Sequence, residues 1–309
     1  RLMVRTKYDL IHSHFAVPTG PGSLPPAFLA RLPHVLTIQG GDIYDPSKKL
    51  SPHRSSVLRR VVTTILRCSS AVVAASTNIR DNVYQYYGYR GRIELIPLGI
   101  KPPHRIPEAS RADLGLPEGV FLGVTVGRLV RRKGLDLLIR ALARPECSAI
   151  HLAVIGSGPE EGRLQSLAQD LHLGNRVRFL GRVDDDKKWQ VLQAADVYFS
   201  ASMHEGFGLV YLEAMTAGLP VITPDEGGQA DFLEDGITGY LIPPGDLEAL
   251  AQTMARAAVR RDGLRTMGAS NRVRAADYRI DRVALRYERL FASILGRMGG
   301  AARSTAPAS

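Results

Sequence analysis

The sequence predicts an α/β fold built as two parallel-sheet domains facing across a cleft, with the first domain truncated. Three observations lead there. Short β-branched runs alternate with longer helical patterns along the 309 residues, the rhythm of strand–helix–strand units. The runs are apolar on both faces instead of alternating, as strands covered by helices on each side must be. A proline-rich polar break, "KPPHRIPEASRADLGLPEG" at 101–119, divides four such runs from six.

Taken in order, "YDLIHSHF", "HVLTIQG", "SAVVAAS" and "RIELIPLGI" read as the strands of the first part. "VFLGVTVG", "AIHLAVIGSG", "RVRFLGRV", "DVYFSAS", "PVITPD" and "GYLIPP" read as those of the second, with helical stretches at 134–143, 160–171 and 246–258. The expected layout is a partial Rossmann-like domain over 1–105, a linker at 106–119, and a complete Rossmann-like domain over 120–278. A helix at 279–298 packs back on the first domain, and 299–309 form a disordered tail. Because the first part has four strands against six, it is expected to lack its opening strands, roughly 70–90 residues by comparison with complete two-layer domains.

Composition narrows the class. The chain is 45% hydrophobic, with no uninterrupted apolar stretch near the ~18 residues of a membrane span. The opening Arg1-Leu2-Met3-Val4 is not the pattern of a secretory signal. Cys68 and Cys147 lie far apart without metal-ligand spacing, which points to a reducing, cytoplasmic compartment. Of the net charge of +10, residues 1–110 carry 15 basic against 6 acidic side chains, and the remainder 25 against 24. The run "SKKLSPHRSSVLRRVVTTILR" holds Lys48, Lys49, Arg54, Arg59, Arg60 and Arg67 without an acid. Such a run is either a solvated helix face or a contact for an anionic membrane surface, at about 1 kcal/mol per basic residue. Nucleic acid is disfavoured because no row of stacking aromatics accompanies the charge.

The stretch "HEGFGLVYLEAM", 204–215, sets Glu205 and Glu213 eight positions apart around two glycines. Gly206 and Gly208 are poor helix formers and Leu209–Met215 mostly good ones, so a helix is expected to start near Gly208 or Leu209 and to end at Gly218 before Pro220. A helix that opens on glycines leaves backbone N–H groups facing an unobstructed gap, a phosphate site. Eight helical residues span roughly 12 Å, so the carboxylates cannot share an atom. They are either two surface glutamates or grips for hydroxyl-bearing groups on either side of a diphosphate.

Over nearly its whole length the chain resembles the retaining glycosyltransferases of family 4, which have the two-domain GT-B fold. The resemblance is carried by "HSHF" (12–15), "GGD" (40–42), "IPLGI" (96–100), "VGRLVRRKGLDLLIRAL" (126–142), "VIGSGPEEGRL" (154–164), "FLGRV" (179–183), "EGFGLVYLE" (205–213), "GLPVI" (218–222), the glycines 227–228 and "DGITGYLIPPGD" (235–246). It implies that Arg128 and Lys133 contact the donor diphosphate. Gly206, Phe207, Gly208 and Leu209 supply backbone N–H groups, Glu213 accepts from the ribose hydroxyls, and Glu205 faces the transferred sugar. Val183, Arg182 and Lys188 either cradle the base or pack the strand end. His14 stands where relatives place a cleft histidine, and Asp42 is either an acceptor-side residue or a loop brace. Many relatives have histidine where Gln39 stands and glutamate where Asp231 stands.

The implied activity is transfer of a sugar from a nucleotide-diphosphate-sugar to a glycan or lipid-linked acceptor with retention, in polysaccharide biosynthesis, at the inner membrane face as a peripheral protein. No cofactor is expected and no metal site: Asp184, Asp185 and Asp186 read as a turn and helix start. A nucleotide-sugar epimerase of the same fold, or a non-catalytic fragment binding anionic surfaces, would be the alternatives. A nicotinamide oxidoreductase fits less well, since "GSGPEEG" at 156–162 fails the G-x-G-x-x-G spacing.

Overall fold

A computed structural model describes residues 7–47 and 50–304, with side chains through Arg297. The chain divides into two units, Arg1–Gly99 with Ile280–Ser309, and Ile100–Arg279.

The first unit contains β1 (Ile11–His14), α1 (Thr19–Leu29), β2 (His34–Ile38), α2 (Ser56–Cys68), β3 (Ala71–Ala74), α3 (Thr77–Tyr87) and β4 (Ile93–Leu95). Its four strands lie in the order β1-β2-β3-β4, all parallel, with Ile11 opposite His34, Val35 opposite Ala71 and Val72 opposite Ile93. Ser55 and Ser76 start α2 and α3 by accepting from Leu58 N and Ile79 N, which satisfies an N–H that the first turn leaves open. Helix α1 carries Pro25 and Pro26 and has no helical signature in sequence. It forms because it packs tightly on α2: a Cβ at Gly20 would lie 2.8 Å from Ile65 Cδ1, so tertiary contact overrides propensity there.

The chain's last helix, Ile280–Ser304, returns to this unit. Val283 and Ile294 pack with Val35, Val73 and Ile96 in one core, and Tyr287 OH lies 3.0 Å from Thr37 Oγ1. The helix runs past the expected end at 298, because Ala301 and Ala302 are good helix formers that carry it through two glycines. Of the expected tail, 299–304 are therefore helical, and 305–309 lie outside the described residues.

The second unit comprises β5 (Phe121–Val126), α4 (Leu135–Leu142), β6 (Ile150–Ile155), α5 (Glu161–Asp170), β7 (Val177–Gly181), α6 (Asp185–Ala194), β8 (Val197–Phe199), α7 (Leu209–Ala217), β9 (Val221–Pro224), β10 (Gly239–Ile242), α8 (Leu247–Val259) and α9 (Arg261–Ala275). The last helix, which follows them, is α10. The sheet order is β10-β9-β8-β5-β6-β7, with every pair parallel. The chain thus works outward from β5 to β7, then restarts on the other side at β8. Its core joins Ile139 and Leu142 of α4, Leu152 and Val154 of β6, Val197 and Phe199 of β8, and Leu250 and Met254 of α8. Among the described residues no helix is long and apolar enough to cross a membrane.

The expected boundary at 105 and the linker at 106–119 are corrected. Ile100 already pairs with Arg279 inside the second unit. Leu114 and Leu116 are buried, and the Arg111 guanidinium donates to Ala194 O at 2.9 Å, Val120 O at 2.9 Å and Asp196 Oδ2 at 3.0 Å. Prolines and polar residues kept this segment out of regular structure, but one arginine clamps it to the sheet. Arg111→Ala is expected to lower stability in urea unfolding by about 1–3 kcal/mol, whereas Arg105→Ala, which is exposed, stays within about 0.5 kcal/mol. Equal effects would mean that the segment is not anchored this way.

Candidate functional site

In an open parallel sheet, the crevice for a ligand opens at the carboxyl ends of the strands where the order reverses. Here that point lies between β5 and β8. The chain leaving β5 runs through Gly127 and Arg128 into a 3₁₀ turn, Arg131–Lys133, followed by Gly134 at φ +62°. A Cβ at Gly134 would strike the Ala201 carbonyl, so only glycine lets this turn lie against the chain leaving β8. The consequence is the ion pair between Lys133 Nζ and Glu205 Oε1, with side chains 19% and 10% exposed.

Glu205 is fixed from its backbone as well: its carbonyl accepts from Gly228 N at 2.8 Å. Phe207 is buried, with its ring 5.4 Å from Phe232 and 6.2 Å from Tyr278, so this residue offers the site only its backbone. Gly208, at φ +90°, caps the start of α7, and Gly218, at φ +86°, caps its end. The helix is no solvated surface element. Tyr211, Leu212, Ala214 and Met215 are buried, and Tyr211 OH lies 3.0 Å from Ser200 Oγ and 3.2 Å from Thr223 Oγ1. Burial pushes the Tyr198 and Tyr211 phenols well above their ordinary range, so both act as neutral hydrogen-bonding groups under the site.

Glu213, one turn into α7, meets Lys188 of α6: Nζ lies 2.8 Å from Glu213 Oε1 and 3.1 Å from Asp185 Oδ1. Burial pulls the Lys188 ammonium down, but the Glu213 and Asp185 carboxylates outweigh it and leave its pKa raised. Arg128 is exposed and has no side-chain partner among the described residues. It lines both the crevice that holds Lys133, Ser200, Ser202 and Glu205 and an adjoining open cleft of about 390 Å³ that includes Gly156, Arg182, Val183 and Lys188. Arg128 joins the two pockets, so that Lys133 and Glu205 on one side and Arg182 and Lys188 on the other line a mainly basic cleft beside the N-terminus of α7, which suits an anionic ligand that also bears hydroxyls.

The structure brings together Arg128, Lys133, Val183, Arg182, Lys188, Glu205, Gly206, Phe207, Gly208, Leu209 and Glu213, all in the second unit. His14 and Asp42 belong to the first. His14 ends β1, is exposed, and its Nδ1 lies 3.0 Å from Gln39 Nε2. Of the two readings of Asp42, the structure shows the loop brace. It is 4% exposed, and its oxygens accept from Ala16 N at 2.6 Å, Gly40 N at 2.9 Å and Gln39 N at 3.1 Å. Burial raises its carboxyl, against the pull of those N–H groups. Asp184 caps α6 by accepting from Lys187 N at 2.8 Å, and no cluster of potential metal ligands occurs among the described residues. Sequence reasoning missed the Lys188–Glu213 pairing, since the partners are 25 positions apart on different helices, and missed the buried Tyr198 and Tyr211, the second of which lies inside the "EGFGLVYLE" stretch.

Residues 107–272 match the model of the glycosyl transferases group 1 family, and residues 1–102 that of glycosyltransferase family 4. The chain belongs to the glycosyl transferases group 1 family. This group 1 chain is 36% identical over 188 residues, 61% of its own length, to the lipopolysaccharide core biosynthesis glycosyltransferase LpsE of Rhizobium meliloti, and spans 54% of that relative. It is 31% identical over 80% of its length to the GDP-mannose-dependent alpha-(1-6)-phosphatidylinositol monomannoside mannosyltransferase of Mycobacterium tuberculosis, of which it spans 66%. The chain thus covers between about half and two thirds of these curated relatives. Among solved structures, sucrose-phosphate synthase from Thermosynechococcus elongatus superposes with a TM-score of 0.81 at 27% identity, over 96% of this chain and 76% of that one. Anabaena HepE in complex with UDP gives 0.80 at 26%, over 93% and 79%.

The paired geometry of Lys188 and Glu213 is open to a direct check. Lys188→Met alone strands a half-buried carboxylate, and Glu213→Gln alone leaves the ammonium with only the exposed Asp185 carboxylate. The double variant, measured by urea unfolding, should recover about 1 kcal/mol of the summed losses; strict additivity would show that the pair contributes nothing.

Proposed function

We propose that the chain transfers a sugar from a nucleotide-diphosphate-sugar to a glycan or lipid-linked acceptor with retention of anomeric configuration. One observation carries the reading: two lysine–glutamate pairs, Lys133–Glu205 and Lys188–Glu213, bracket a glycine-led helix N-terminus beside the uncommitted Arg128. The diphosphate sits against Arg128, Lys133 and the N–H groups from Gly206 to Leu209. Glu213 takes the ribose hydroxyls, Glu205 faces the sugar, and the base lies toward Val183 and Arg182. HepE was solved with UDP-glucose, and the mycobacterial relative is GDP-mannose-dependent; both support a nucleotide-sugar donor while differing in the base.

The chemistry follows from where charge develops. The bond between the anomeric carbon and the diphosphate oxygen breaks, the acceptor oxygen bonds to the same face, and its proton passes to the departing diphosphate. Arg128, Lys133 and the N-terminus of α7 stabilise the negative charge that grows on that leaving group, and the pocket holds the reactants in line. Glu205 stabilises positive charge on the sugar ring. No cofactor or metal enters this route. The acceptor reading is supported by α2, which exposes Arg59, Arg60 and Arg67 beside a 67%-exposed Val57; Lys48 and Lys49 of the same basic run lie outside the described residues. Such a face suits an anionic membrane surface on the cytoplasmic side.

Incubating the chain with UDP- and GDP-sugars and lipid-linked glycan acceptors in vesicles of anionic phospholipid, with products followed by proton NMR, tests the reading. The expected product keeps the donor's anomeric configuration, and Glu205→Gln lowers transfer about 10²-fold. Arg59→Ala with Arg60→Ala slows transfer in vesicles but not to soluble acceptors. An inverted product, or an epimerised donor formed without acceptor, would overturn the assignment.

A further inference from the structure

The first unit presents its own chemistry at the carboxyl ends of its strands. His14 closes β1, and Gln39 follows directly on β2, the strand paired with it. Their relative position is rigid. Asp42 ties both strand ends together, accepting from Ala16 N after β1 and from Gln39 N and Gly40 N after β2. Among the described residues, Gln39 is the only hydrogen-bond partner of the His14 ring.

We infer that Gln39 is a positioning residue for His14: its side-chain amide donates to Nδ1 and so holds the imidazole as the Nε2–H tautomer, which presents a hydrogen-bond donor at the open end of the first sheet. A glutamine NH₂ group can only donate, so the ring nitrogen that faces it must carry a lone pair. A neutral imidazole has one proton to place, and it then resides on Nε2. The other groups around the ring keep it neutral. The His12 ring lies 4.4 Å away, tilted by 47°, and is itself held down to about 4 by burial and by His14 and His34; burial lowers His14 as well. From α10, the phenol of Tyr287 is engaged with Thr37 Oγ1, whose other neighbour is His12 Nε2 at 2.8 Å. The carboxylate of Asp42 is spent on backbone N–H groups and does not reach the ring.

The inference deepens the proposed function and rests on it only for what Nε2–H would meet, a hydroxyl or a phosphoryl oxygen of the substrate. In that role His14 orients and polarises; it does not take the acceptor proton, which leaves the diphosphate oxygen as the base.

Long-range proton–nitrogen NMR on the ¹⁵N-labelled full chain near pH 7.5, with the His14 signals identified by their loss in His14→Asn, reads the tautomer directly. The wild type should show an unprotonated Nδ1 and a protonated Nε2. Gln39→Glu places an acceptor at the same point, so the proton should move to Nδ1 and the His14 titration midpoint should rise by about one pH unit or more. Gln39→Leu should give a mixture of tautomers. A wild-type ring protonated at Nδ1, or a tautomer that Gln39→Glu leaves unchanged, would overturn the inference. Wild-type transfer rates in His14→Ala would instead remove His14 from the proposed reaction while the tautomer result stood.

Discussion

The second unit depends on one close approach. Because β8 restarts the sheet beside β5, the segments leaving these two strands must share the same crevice, and they can do so only where Gly134 offers no side chain to the Ala201 carbonyl. That contact sets Lys133 against Glu205. From there the chain is carried by the buried Phe207 to Gly208 and into α7, whose buried Tyr211 hydrogen-bonds Ser200 and Thr223 beneath it. Lys133, Glu205 and the N-terminus of α7 are thus placed by backbone geometry and buried neighbours.

The electrostatics follow from this placement. A half-buried carboxylate or ammonium without a partner is expensive, and the site resolves the problem by pairing: Lys133 with Glu205, Lys188 with Glu213. Arg128 is left over, exposed and uncommitted, so the crevice carries a net positive charge beside the positive end of α7. A diphosphate complements that surplus without leaving either carboxylate stranded. The first unit is organised on a different principle. There the carboxylate, Asp42, is consumed by the backbone, and the exposed functional group is a neutral imidazole.

Much of this was legible in the sequence. All ten strands were visible as short runs rich in β-branched residues, most plainly where both faces are buried, as in β2, β8 and β9. Gly208 and Gly218 bounded α7 correctly, since a left-handed cap has few alternatives to glycine. What the sequence concealed was tertiary in origin. Helix α1 has no signature in the sequence because three prolines and two glycines outweigh its local propensity until α2 packs on it. The segment around Arg111 looked like a linker because nothing in a linear reading shows that its guanidinium reaches Ala194, Val120 and Asp196. Asp42 stood open between acceptor-side residue and brace, and only its burial against three N–H groups decided it. Lys188 was legible as a site residue, but its pairing with Glu213 across two helices was not.

The most direct test of the account is calorimetric titration of UDP and GDP into the wild type, Lys133→Ala and Glu213→Ala. Saturable binding of one nucleotide to the wild type, weakened in each variant by more than the roughly 1 kcal/mol of an ordinary hydrogen bond, is the predicted result. Variants that bind like the wild type would contradict it and remove the lysine–glutamate crevice as the donor site.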